Sequence, residues 1–84
     1  MIHELKTNPV YFEAIRAKEK TFEVRKADRL YSVGDYLALN EYKESKKEYT
    51  GQSILAKVTY LLSDPQYCKE GYVILGIDII SAFL

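Results

Sequence analysis

The residues best equipped for chemistry stand in Lys18-Glu19-Lys20-Thr21-Phe22-Glu23-Val24-Arg25-Lys26. From Thr21 onward polar and apolar side chains alternate, which is the period of a strand whose side chains point to opposite faces. Thr21, Glu23 and Arg25 then share one face, and Phe22, Val24 and Lys26 share the other. At a strand's rise per residue, Glu23 and Arg25 stand roughly 7 Å apart. A carboxylate and a guanidinium held side by side either read a ligand or satisfy each other. Alternation alone leaves both readings open.

Charge gathers around this stretch. Lys18, Lys20, Arg25, Lys26 and Arg29 face only Glu19, Glu23 and Asp28, and Lys43, Lys46 and Lys47 form a second cluster diluted by Glu44 and Glu48. Tyr31, Tyr36 and Tyr42 are interleaved with these cations. Such a surface can take phosphates on its cations and stack bases on its rings. The same pattern also describes a solvated rim, and a formal net charge of zero excludes a strong, indiscriminate polyanion binder.

The elements that must position these residues are legible in order. Ile2 to Lys6 reads as a first strand. Asn8 can cap a helix and Pro9 suits its first position, where a missing N–H costs nothing. The helix is expected to run to about Lys18, with Tyr11, Ala14, Ile15 and Lys18 on one stripe and Phe12 off it. The charged strand follows to about Ala27. Gly34 can supply positive φ before a strand over Tyr36 to Tyr42, with Leu37 and Leu39 inward. Lys43 to Gly51 reads as a solvated hairpin loop. Gln52 to Leu62 reads as a central strand, with Ile54, Ala56, Val58, Tyr60 and Leu62 on one face and Leu55 and Leu61 on the other. Ser63 to Gly71 is a loop, Tyr72 to Ile80 a buried strand, and Ser81 to Leu84 a tail. The expectation is one domain over residues 1–84, of class α+β and rich in strands: a small open barrel of about five strands with one N-terminal helix.

Several chemistries lack their residues. His3 and Cys68 are the only histidine and cysteine, so no zinc-site spacing exists and no internal disulfide can form. No metal or cofactor is expected. His3 reads as a packed or capping residue and Cys68 as an incidental loop thiol. The four glycines make no phosphate-cradling pattern, and there is no serine nucleophile elbow. No apolar run reaches membrane-span length and the first residues do not open a signal peptide, so a cytoplasmic location without membrane contact is expected.

The segment Lys20-Thr21-Phe22-Glu23-Val24-Arg25 resembles the core of the ASCH motif of the PUA-like β-barrel superfamily: a glycine, then a lysine, then Glu-x-Arg. His3-Glu4-Leu5-Lys6, Tyr11-Phe12, Asp28-Arg29, Val33-Gly34-Asp35, Glu41-Tyr42 and Gly71 to Ile77 extend the likeness over nearly the whole chain. They resemble a branch of small, uncharacterised bacterial and phage-associated proteins. The resemblance implies a PUA-like open barrel, a cleft lined by Lys20, Glu23 and Arg25, and RNA or a nucleotide as ligand. There are departures. Lys18 stands where the motif has glycine, and Ala27 stands where this branch usually has asparagine. A related branch hydrolyses acetylated cytidine with a lysine and a threonine. Its lysine matches Lys20, but Glu23 occupies the threonine's place, which removes that nucleophile.

The leading expectation is therefore an RNA- or nucleotide-binding module that uses Lys20, Thr21, Glu23, Arg25, Lys26, Arg29 and Tyr31. A second is a small hydrolase on a modified nucleoside or RNA, with Lys20 and Glu23 as its catalytic pair. A third is a protein-interaction domain, in which the apolar tail Ile79 to Leu84 either makes a homodimer contact or docks on its own barrel.

Overall fold

The computed structural model describes residues 1–84. Its elements are β1 (Ile2–Thr7), α1 (Pro9–Arg16), β2 (Phe22–Lys26), β3 (Tyr36–Lys43), β4 (Glu48–Leu62) and β5 (Tyr72–Phe83). The strands form one sheet in the order β1-β3-β4-β5-β2. Only β1 and β3 run parallel; the other pairs are antiparallel. The sheet curls into a half-barrel, a small β-rich α+β fold with one short helix.

The inner face follows from register. Leu5, Leu39 and Ile54 lie side by side across three strands, and Leu37 stands opposite Ala56. Val58, Val73, Leu75 and Ile77 extend this layer. The helix adds Phe12 and Ile15, both fully buried. Each such side chain contributes about 1.5–3 kcal/mol relative to an exposed one.

Two expectations about the helix are corrected. Its buried stripe is Phe12 and Ile15 with Ala14 half-buried, whereas Tyr11 is 55% exposed. Eight residues give only two turns, so a single pair at spacing three makes the whole contact. The helix also stops at Arg16 rather than near Lys18. Glu19 N–H reaches back to Ala14 C=O and Lys18 N–H to Ile15 C=O, both at 2.9 Å, which is a Schellman ending. Lys18 takes the left-handed position at φ +62°. At the other end Asn8 caps as expected, its Oδ1 accepting from Val10 N–H at 2.9 Å.

The β3–β4 connection is tighter than a solvated loop. The strands continue past the main sheet and turn at Glu44 to Lys47, so Glu48 to Gly51 belong to β4. Thr50 Oγ1 donates to Glu41 Oε1 at 2.7 Å, and the rings of Tyr42 and Tyr49 meet edge-on at 4.8 Å. These side-chain pairs hold the extension together. Strict alternation also fails along β4. A bulge between Val58 and Tyr60 advances the pattern by one residue, so Tyr60 is 66% exposed while Leu61 packs on the core. The apolar tail is the last part of β5, with Ser81, Ala82 and Phe83 opposite Leu55, Ile54 and Ser53.

Candidate functional site

Strand β2 lies at one edge of the sheet and pairs only with β5. Phe22 to Arg25 alternate as expected, but the charged face is the inner one, and at the strand's end Lys26 borders the same cleft as Arg25. Glu23 stands opposite Leu75 and is 3% exposed, while Phe22 and Val24 on the outer face are 44% and 50% exposed. A buried carboxylate is tolerated only when paired. Glu23 has two partners. Lys20 Nζ donates to Oε1 at 2.9 Å, and Arg25 Nε and Nη2 both approach Oε2 at 2.7 Å. The Schellman turn brings Lys20 into position for this contact. Lys20 Nζ also donates to Phe22 C=O at 2.6 Å and lies 4.7 Å from the Phe22 ring centre. The choice left open by alternation is thereby answered locally: Glu23 and Arg25 satisfy each other, and Lys20 completes the set.

Arg25 does more than pair. Its Nη1 donates to Lys6 C=O at 3.0 Å and its Nη2 to Thr7 Oγ1 at 3.3 Å. Both acceptors belong to β1, the opposite edge of the sheet. No ladder joins β1 to β2. The guanidinium therefore laces the open seam of the half-barrel, and Glu23 holds it in the required orientation. Of its five N–H groups, at least one on Nη1 stays free of these partners.

Beyond the seam lies an open cleft of about 770 Å³. Its lining carries the cations Lys6, Arg25, Lys26 and Arg29, with Glu4 and Asp28 as the only acids. It also carries neutral polar groups, Asn40, Tyr49, Gly51, Gln52 and Ser53, of which Asn40 stands directly beside Lys6 in the sheet and Ser53 beside Asn40. Of the residues expected to hold a ligand, Arg25, Lys26, Arg29 and Tyr31 line this cleft. Lys20, Thr21 and Glu23 stand apart from it. Lys20 and Glu23 are engaged with each other. Thr21 is exposed, and its carbonyl accepts from Ile77 N–H at 3.1 Å.

Tyr31 is 6% exposed, so it serves as wall rather than as a stacking platform. Its ring lies 4.7 Å from that of His3, and burial pushes its phenol up more strongly than Arg29 and Arg25 draw it down. His3 is a packed residue, as expected: its Nε2 meets Asp35 Oδ2 at 2.8 Å. Asp35 also accepts from Ser32 N–H at 3.0 Å, and its carboxyl is held below the usual range, chiefly by the His3 hydrogen bond. Cys68 is buried rather than displayed on a loop, its thiol donating to Leu62 C=O at 3.3 Å.

Sequence reasoning missed Asn40, Tyr49, Gln52 and Ser53. Tyr49 falls inside the expected hairpin loop and Gln52 just after it, and only the real extent of β4 shows that they line the cleft. The available signal was the run Tyr49-Thr50-Gly51-Gln52-Ser53, which is free of charge inside a charge-rich region. No helix is long and apolar enough to cross a membrane.

With this geometry in place, the chain can be assigned to a class. It belongs to the family described as a domain of unknown function, DUF3850, whose pattern matches residues 2–77. That span contains every residue of the seam and the cleft and ends before the last part of β5. Among individual proteins, the chain is similar to one from Escherichia phage P2, described as an uncharacterized 12.9 kDa protein in the GpA 3' region. The two are 36% identical over 74 residues, which cover 88% of this chain and 65% of the phage protein. The chain thus spans somewhat less than two thirds of that relative's length.

Proposed function

We propose that this chain is a recognition module of ASCH type within the PUA-like superfamily, and that it takes RNA or a nucleotide in the cleft beside Arg25. One observation carries the reading. A chain of zero net charge gathers four cations against two acids around a single cavity of about 770 Å³. That volume suits a small ligand or a short stretch of a polymer. Local excess charge of this kind attracts phosphate where the whole molecule does not. The half-barrel is compatible with the open barrel that the resemblance implies, and the single buried cysteine suits a reducing cytoplasm.

The geometry gives no support to the hydrolase alternative. A carboxylate acting as a base toward water needs access to that water and to the substrate. Glu23 is 3% exposed and lies off the cleft.

Filter binding of a mixed RNA pool tests the reading. Retention is expected at low salt and is reduced in Lys26→Ala and Arg29→Ala proteins. Each neutralised phosphate of a single strand contributes about −0.7 to the slope of log K against log salt, so four cations give a slope no steeper than about −3. No retention at low salt contradicts the proposal.

A further inference from the structure

The lining of the cleft is of two kinds, and the difference bears on which form of nucleic acid fits. Its cations come from β1, β2 and the segment after β2. Its neutral polar groups come from β3 and β4 and begin beside Lys6, at Asn40. They are the side-chain amides of Asn40 and Gln52, the hydroxyl of Ser53 and the ring of Tyr49. Each amide offers both donor and acceptor atoms, which is what the edge of a base requires. No hydrogen bond within the chain engages either amide, in contrast to Glu41 and Thr50 nearby, which bond each other. Tyr49 is 55% exposed, and its edge contact with Tyr42 steadies it from one side.

The geometry points to a single-stranded nucleic acid as the ligand of this cleft, with an unpaired base taken up by the Tyr49 ring and the Asn40 and Gln52 amides, and its phosphates held by Lys26 and Arg29. This rests on the reading above and narrows it. Cations alone would accept a duplex backbone equally well. Neutral amides and a ring have nothing to gain from a duplex, whose base edges are paired and whose faces are stacked. An unpaired base presents both edge and face to such groups. The cleft is open, so a strand can enter and leave on either side of the bound nucleotide.

Three ribose-phosphate probes of equal length separate the outcomes by fluorescence anisotropy at low salt: a ten-nucleotide single-stranded RNA, its blunt duplex, and an abasic strand. The intact single strand is expected to bind about tenfold more tightly than either of the others, a factor typical of one stacked base. Tyr49→Leu and the Asn40→Ala/Gln52→Ala double variant should lose that preference and fall to the level of the abasic strand. Arg29→Ala should weaken all three probes alike. Tyr49 also meets the Tyr42 ring and Asn40 is half-buried, so each variant is read only with a wild-type circular dichroism spectrum, and Tyr49→Phe, which keeps the ring, should keep the preference. A duplex or abasic strand bound as tightly as the intact one overturns the inference while leaving a phosphate-binding cleft in place. A single-strand preference that survives in Tyr49→Leu and in the double variant also overturns it. Absence of binding by every probe overturns the proposed function itself.

Discussion

Glu23 is a carboxylate placed against Leu75 on the inner face of the sheet, where an unpaired charge would be untenable. Its two oxygens divide between Lys20 and Arg25, and the pair of cations makes its burial tolerable. Removing it leaves two positive groups side by side with their shared partner gone. Breaking a fully buried pair costs about 3–5 kcal/mol. Lys20 and Arg25 keep 17% and 21% of their side-chain surface in water, which reduces the penalty. We expect Glu23→Ala to lose about 2–3 kcal/mol in urea unfolding, discounted from that range. Glu23→Gln, which preserves shape and one acceptor, should lose less. Equal losses would mean that packing rather than charge fixes this position.

At the scale of elements, short pieces of structure hold their neighbours in place through identifiable contacts. The turn after α1 places Lys18 at φ +62°, a conformation that costs an L-residue about 1–2 kcal/mol. Lys18→Gly relieves that strain but frees the unfolded chain, which offsets about 0.4–1 kcal/mol. A net gain of about 0.5–1 kcal/mol is therefore expected in urea unfolding. A loss would show that the lysine side chain itself supports the turn. Likewise, β1 is tied to the start of β3 through His3 and Asp35. Asp35 has a lowered carboxyl, so its contribution is present above the ordinary carboxylate value and is lost as pH falls through the lowered one. Below about pH 4 the wild type should therefore lose stability more steeply than Asp35→Asn. Glu13, lowered by its bond to Arg16, is common to both proteins and cancels in the comparison. Parallel acid limbs would contradict the assignment.

Much of this level was legible in the chain. Strand count, the Asn8–Pro9 helix start, the positive φ of Gly34 and the inward Leu37 and Leu39 all follow from local chemistry. What was illegible depended on long-range pairing. The bulge that turns Leu61 inward, the choice of Phe12 over Tyr11 for burial and the strand character of Glu48 to Gly51 are decided by neighbours distant in sequence. The site divides in the same way. The alternation of Glu23 and Arg25 was local and clear. That Arg25 reaches across to Lys6 and Thr7, and that Asn40 and Gln52 share its cleft, required the curl of the sheet.

For the molecule as a whole, the half-barrel is open between β1 and β2, and one side chain spans the gap. Arg25→Lys keeps the charge but cannot supply the forked donors that reach Glu23, Lys6 C=O and Thr7 Oγ1 together. A cost of about 1–3 kcal/mol is expected, with faster amide exchange concentrated in β1 and β2. Uniform acceleration throughout the sheet would mean that the seam is not a separate weak point. The same residue borders the cleft, so the group that closes the barrel also belongs to the cationic part of the lining. We propose that these cations and the neutral groups beside them bind RNA or a nucleotide. Titration of the isotopically labelled protein with a single-stranded RNA pool at low salt, followed by amide resonances, tests it most directly. Shifts concentrated at Arg25, Lys26, Arg29, Asn40, Tyr49 and Gln52 are predicted. Unmoved resonances there, or shifts confined to the outer face around Phe22, Val24 and Tyr60, would contradict it.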